Sequence, residues 1–140
     1  MLNRTEAVTM IIYLQHLPNE WAKGVLSNKD SLTEERVDEV VQQFLSNFKE
    51  GKLQENQWPP HFAAYIVSKA ALNAYTWLAA QKYTNLCINS VCPGFARTDL
   101  TFNYGVLSEV EAAEAPVKVA LLPHGGPSGS FFLRREALSL

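Results

Sequence analysis

Tyr65 and Lys69 stand four residues apart in the segment Tyr65-Ile66-Val67-Ser68-Lys69-Ala70-Ala71-Leu72-Asn73-Ala74-Tyr75. On a helix that spacing rotates the second side chain only ~40° from the first, so both lie on one face and can serve one site. An ammonium beside a phenol favours the phenolate and draws the hydroxyl from its ordinary pKa of ~10 toward working pH, where it can act as a general acid or base. The chemistry this predicts is proton delivery to a carbonyl oxygen. A second segment, Cys92-Pro93-Gly94-Phe95-Ala96-Arg97-Thr98, places a Pro-Gly turn directly after an apolar run. Arg97 reads as a solvated loop arginine, with a phosphate contact as the sharper alternative. No metal centre is expected, because neither Cys87 nor Cys92 has a second Cys or a His at ligand spacing, and His16, His61 and His124 occur singly among Pro-containing loops. The spacing of the two cysteines sends their thiols to opposite faces of one strand, so they read as two buried, unpaired thiols.

The elements that must position these residues follow from periodicity and breakers. Val8-Thr9-Met10-Ile11-Ile12-Tyr13-Leu14 reads as a short buried strand, followed by a polar loop from Gln15 that carries Pro18 and ends at Gly24. Val37, Val40, Val41, Phe44, Leu45 and Phe48 recur at helical spacing behind Thr33-Glu34-Glu35 and ahead of Gly51, which predicts an amphipathic helix over 33–50. Trp58-Pro59-Pro60 must be extended or turned. Residues 62–82, with seven alanines and no Gly or Pro, predict a long helix able to approach a sheet closely, and this helix carries Tyr65 and Lys69. Residues 86–92 read as a strand stopped by Pro93-Gly94, and 95–107 as an aperiodic loop over a site. Ser108-Glu109-Val110-Glu111 is a capping box that opens a third helix running to about Leu122, and 130–133 make a last short strand.

This order belongs to the α/β class with a parallel sheet, and three strands with their helices amount to half of a larger fold. A length of 140 residues, 47% hydrophobic and 19% charged, fits one partial globular domain: a strand over 1–14, a loop and amphipathic helix over 15–60, and the helix bearing Tyr65 and Lys69, Pro-Gly loop and last strands over 61–140. A net charge of -2 from 12 basic and 14 acidic residues offers no basic excess for a nucleic-acid partner. The apolar runs fall far short of the ~20 residues of a membrane span, and Met1-Leu2-Asn3-Arg4-Thr5-Glu6 opens no secretory leader, so a cytoplasmic protein is expected.

The two candidate segments, in this order with a strand between them, resemble the short-chain dehydrogenase/reductase family. More narrowly, Leu32-Thr33-Glu34-Glu35, Trp58-Pro59-Pro60, Ala113-Glu114-Ala115-Pro116-Val117 and Gly126-Pro127-Ser128-Gly129 are similar to the plant menthone, neomenthol and salutaridine reductase group, and through it to animal carbonyl reductases. The resemblance runs from about Leu17 onward. It implies the C-terminal half of a doubly wound Rossmann-type sheet, with NADP(H) as cofactor and a terpenoid- or alkaloid-like ketone reduced to an alcohol, or the reverse. It implies that Tyr65 is the acid/base and that Lys69 both lowers the tyrosine pKa and binds the nicotinamide ribose. Tyr65, Lys69, Pro93, Gly94 and Thr98 would contact the cofactor. Thr98 matches a threonine that bonds the carboxamide or a phosphate, beside the alternative that it caps a helix or turn before Asp99. The inserted helix over 33–50 implies a monomer with a wall over the substrate, or else a helix that only packs in the core.

Two departures stand against that resemblance. The family's Gly-x-x-x-Gly-x-Gly turn, which cradles the pyrophosphate, is not present, since all seven glycines lie at Gly24 or later, and the Asn-Asn-Ala-Gly element is missing too. The place of the substrate-polarising serine falls near Thr9, whose hydroxyl can donate the same hydrogen bond, so Thr9 is the candidate stand-in. Residues 1–14 otherwise read as sequence unrelated to the family, joined to the C-terminal half of a reductase. The competing expectation is a catalytically inactive remnant that pairs a sheet edge with a full-length relative.

Overall fold

The computed structural model describes residues 17–123, 125–134 and 136–138. The strand expected over 8–14, with Thr9 in it, lies outside the described residues. The chain forms two compact units whose boundary in sequence falls between Leu78 and Ala79.

In the first unit the expected loop over 15–24 is replaced from Glu20 by a helix, α1 (Glu20–Ser27). Asn19 stops the preceding chain and caps this helix, its side-chain oxygen accepting from the Ala22 N–H at 2.8 Å. Ala22, Val25 and Leu26 then fall on one face and are buried. The spacing was present in the sequence, but two turns are too short for periodicity to outweigh Pro18 and Gly24.

The amphipathic helix forms as expected, α2 (Glu34–Lys49), with Thr33 Oγ1 accepting from the Arg36 N–H at 3.3 Å. Its buried stripe is Val37, Val40, Phe44 and Asn47, whereas Leu45 and Phe48, counted on the apolar face, remain exposed. The Trp58-Pro59-Pro60 loop anchors on this helix. Trp58 is buried edge-on against Phe44, with ring centres 5.2 Å apart, and its Nε1–H donates to Asn47 Oδ1 at 2.9 Å. The loop leads into α3 (Ala63–Lys82), whose small residues Ala70, Ala71 and Ala74 join Val67 in one core with residues of α1 and α2.

The second unit holds a three-stranded sheet of order β1 (Ser90–Cys92), β2 (Phe131–Leu133) and β3 (Glu136–Leu138). The pairing of β1 with β2 is parallel, with Val91 opposite Phe132, as the crossover order predicts. The sheet as a whole is mixed rather than parallel, because β2 is not the last strand: a two-residue connection returns the chain antiparallel, with Leu133 opposite Glu136. The strand expected over 86–92 is shorter than its apolar pattern. Asn89 takes over the ladder's role there, donating from Nδ2 to the Pro127 carbonyl at 2.7 Å and accepting the Ser130 N–H at 3.0 Å. The Gly129 N–H donates to the Ile88 carbonyl at 2.7 Å.

Cys87 and Cys92 are unpaired, as expected, but half-buried rather than buried. The capping box opens α4 (Glu109–Ala120), with the Glu111 N–H donating to Ser108 Oγ at 3.2 Å and the Ser108 N–H donating to Glu111 Oε2 at 2.8 Å. Val91, Phe132, Ala115 and Val119 form the core between sheet and helix.

Candidate active site

The first turns of α3 carry the two expected proton-transfer residues. The Lys69 ammonium lies 5.6 Å from the centre of the Tyr65 ring, within the range in which a cation is attracted to an aromatic face. Tyr65 is 40% exposed and Lys69 half-buried, so the phenol is open to an incoming group while the ammonium is partly shielded. Ser68, between them, turns its hydroxyl back to the Tyr65 carbonyl at 2.8 Å and closes the helix rather than facing a ligand.

The Pro93–Gly94 segment lies in the second unit. Pro93 is buried and Gly94 has φ +93°, a left-handed conformation that glycine supplies without strain. Among the described residues, none accepts a hydrogen bond from the backbone N–H of Gly94, Phe95 or Ala96. Among the described residues these three consecutive donors thus have no acceptor.

The loop beyond them is closed on itself. The Arg97 N–H donates to the Leu107 carbonyl at 2.8 Å, the Leu107 N–H to the Phe95 carbonyl at 3.1 Å, and Arg97 Nε reaches the Gly105 carbonyl at 3.4 Å. Arg97 is thus an exposed arginine tied to its own loop. Thr98 begins a 3-10 turn (Asp99–Thr101), its N–H donating to Thr101 Oγ1 at 3.0 Å and its carbonyl accepting from the Asn103 N–H at 2.9 Å. Thr98 thus stands at the N-cap position of the turn, but its hydroxyl accepts no capping bond and has Thr101 Oγ1 at 3.4 Å as a neighbour.

A cleft of about 610 Å³ opens in the second unit, lined by Pro93, Leu107, Glu111, Glu114, Ala115, Leu133, Arg134 and Glu136. The Glu111 carboxyl in this lining is held below its ordinary value, chiefly by the Ser108 N–H and hydroxyl and then by the positive charges of Arg134 and Arg97. The structure thus brings Tyr65 and Lys69 together on α3, and Pro93, Gly94 and Thr98 together in one loop of the other unit. Among the described residues no group of three His, Cys, Asp or Glu side chains could hold a metal ion. No described helix is long and apolar enough to cross a membrane.

Sequence reasoning missed two residues that shape this loop. A Cβ on Gly105 would lie 1.9 Å from the Ala96 carbonyl carbon, so only glycine lets the two stretches of backbone cross. A lone glycine in an aperiodic loop was the available signal, and it marks close backbone approach only when the crossing partner is known. Arg134, beside Gly94, gave no signal at all.

No family model matches the chain. It is 68% identical over 122 residues to (-)-isopiperitenone reductase of Mentha piperita, a match covering 87% of this chain and 39% of that protein. Among solved structures it is similar to salutaridine reductase from Papaver somniferum, with a TM-score of 0.85 and 43% identity over 93% of this chain and 44% of that one. Menthone neomenthol reductase from Mentha piperita matches with a TM-score of 0.80 and 54% identity, over 95% and 41% of the two chains. The fold is accordingly part of a Rossmann-type α/β fold, carrying an inserted amphipathic helix. The chain belongs to the short-chain dehydrogenase/reductase family, in the menthone/neomenthol dehydrogenase and salutaridine reductase subgroup. It corresponds to the C-terminal part of those proteins and spans about 40% of their length.

Proposed function

We propose that the chain supplies the proton-transfer part of an NADP(H)-dependent carbonyl reductase site, acting on a terpenoid- or alkaloid-like ketone or on the corresponding alcohol. The observation that carries this reading is the Tyr65–Lys69 pair on one face of α3, with the ammonium 5.6 Å from the ring centre and the phenol open to solvent. Tyr65 donates its proton to the carbonyl oxygen as negative charge develops there, and takes a proton from the alcohol in reverse. The Lys69 ammonium stands beside the ring, and a tyrosine 40% exposed can regain its proton from solvent. The open N–H groups of Gly94, Phe95 and Ala96 fit a carboxamide oxygen, the acceptor at the reactive end of a nicotinamide. The cofactor, when bound, supplies the hydride. Tyr65, Lys69, Pro93, Gly94 and Thr98 are the residues of this chain proposed to hold it. The reading includes a monomer, supported by α2 burying its stripe within its own unit.

The test is a calorimetric titration with NADPH, followed by NADPH oxidation in the presence of a cyclic terpenoid ketone. Tyr65→Phe is expected to lose about 10²-fold or more in kcat with a smaller loss of NADPH affinity, and Lys69→Ala to lose both affinity and turnover. Unchanged turnover in Tyr65→Phe would overturn the assignment. A second reading, a catalytically inactive form that pairs with a full-length relative, is separated from the first by the same titration. A folded chain that binds no NADPH and lowers the activity of a full-length relative on mixing would establish it.

A further inference from the structure

Arg134 lies beside the same turn in a backbone conformation that its residue type rarely adopts. A Cβ built on Gly94 would meet Leu107 Cδ1 at 2.9 Å, Arg134 Nε at 3.2 Å and Arg134 Nη2 at 3.7 Å, so the arginine side chain occupies the space that the glycine leaves. Arg134 itself has φ 53°, a left-handed conformation that glycine adopts freely and a long side chain adopts rarely. The two-residue connection between β2 and β3 calls for a positive φ, and glycine would meet that need with less strain. A strained backbone that persists at the edge of a cleft motivates a search for what the side chain does there.

Arg134 is tied to the turn twice. Its N–H donates to the Cys92 carbonyl at 2.8 Å, two residues before Gly94, while its guanidinium packs against Gly94 from the side. Arg134 also lines the cleft, with Glu111, Glu114 and Glu136. Its charge is felt at Glu111, whose carboxyl it helps to hold in the ionised form.

We propose that Arg134 is a positioning residue: packed into the space Gly94 leaves and bonded to Cys92, it holds the Pro93–Gly94 turn so that the N–H groups of Gly94, Phe95 and Ala96 stay open to an acceptor. That the acceptor is a nicotinamide carboxamide rests on the function proposed above. The bracing itself does not.

The experiment compares the full chain with Arg134→Gly and Arg134→Lys, using Glu136→Gln as the control on the same hairpin. Amide shifts and hydrogen exchange are read by NMR without cofactor and then with NADPH. Arg134→Gly relieves the left-handed strain, so its thermal midpoint is expected to hold or rise. The Gly94, Phe95 and Ala96 amides should nevertheless shift and exchange about fivefold faster or more, with Arg134→Lys between the two and Glu136→Gln unchanged. NADPH dissociation constants should rise about tenfold in Arg134→Gly.

Turn amides unmoved in an Arg134→Gly chain of undiminished stability would overturn the proposal, because a merely structural hairpin residue predicts that result. If Arg134→Gly fails to fold, Arg134→Lys is read by the same criterion. An unmodified chain whose turn amides ignore NADPH would refute the cofactor reading alone, while the comparison without cofactor still decides the bracing.

Discussion

Asn47→Ala isolates a buried side-chain contact that anchors the loop leading into α3. Asn47 is 6% exposed and Trp58 2%, and the 2.9 Å bond from the indole Nε1–H to Asn47 Oδ1 lies inside the first unit's core. Truncation removes a bond of net value about 1 kcal/mol and strands the indole N–H away from water, which adds about 1–3 kcal/mol. Gln43 does not replace it, since the Gln43 amide nitrogen also donates to Asn47 Oδ1, at 3.4 Å, and is itself left without that acceptor. A loss of about 2–4 kcal/mol is expected, and with a urea slope of about 1.5 kcal/mol/M the unfolding midpoint should fall by about 1.3–2.7 M.

The assay is urea denaturation followed by tryptophan fluorescence. Trp58→Phe serves as the partner mutation, because it removes the donor and keeps most of the edge-on packing against Phe44. In the double mutant no N–H is stranded, so the combined loss should be smaller than the sum of the two by about 1 kcal/mol or more. Additive losses, or a midpoint shift under about 0.3 M for Asn47→Ala, would refute the reasoning.

Gly105→Ala places a methyl 1.9 Å from the Ala96 carbonyl carbon, so it should break the Ala96–Leu107 bridge and cost more than the ~1–3 kcal/mol of ordinary overpacking. Gly24→Ala, in the interior of α1 with nothing within 4 Å of the added carbon, should instead stabilise by about 0.5–1 kcal/mol. Thermal unfolding of both checks the pair, and equal effects would contradict it. Glu111 titrates below 4.5 in the folded chain because the Ser108 N–H and hydroxyl, and then Arg134 and Arg97, favour its ionised form. Its contribution to stability is complete above that value and is lost as pH falls through the lower folded one. Thermal midpoints of the protein and of Glu111→Gln, followed from about pH 6 to about pH 3, should differ at the upper end and converge at the lower, and a gap that stays constant would refute this cause.

The helices bearing the candidate site were legible because each carries a local signal that packing did not override. Thr33 and Ser108 cap α2 and α4 at the positions their spacing predicts, and the alanine-rich run of α3 holds from Ala63 to Lys82. The strands were less legible. Asn89 shortens β1 by bonding residues 38 and 41 positions away, and β3 exists only because the chain reverses after Leu133. Arg134 was invisible for the same reason. Its role depends on Gly94, forty positions earlier in the chain, and nothing about an arginine beside a short apolar run announces a left-handed backbone.

The residue pair was read from spacing alone, but spacing does not say which way the helix turns. Val67, Ala70, Ala71 and Ala74 recur at i, i+3, i+4 and i+7, and their burial with residues of α1 and α2 fixes the rotation of α3 about its axis. At ~100° per residue, Tyr65 and Lys69 then fall ~170–210° from the centre of that buried stripe, on the opposite side of the helix. A larger residue at Ala70 or Ala74 would lift this face from its core and turn the pair with it. The small side chains and the helix α2 therefore set the orientation of the proposed proton-transfer pair through geometry. They leave the phenol on the open side of α3, with the ammonium one turn away, and without that rotation the same two residues would be a buried polar pair.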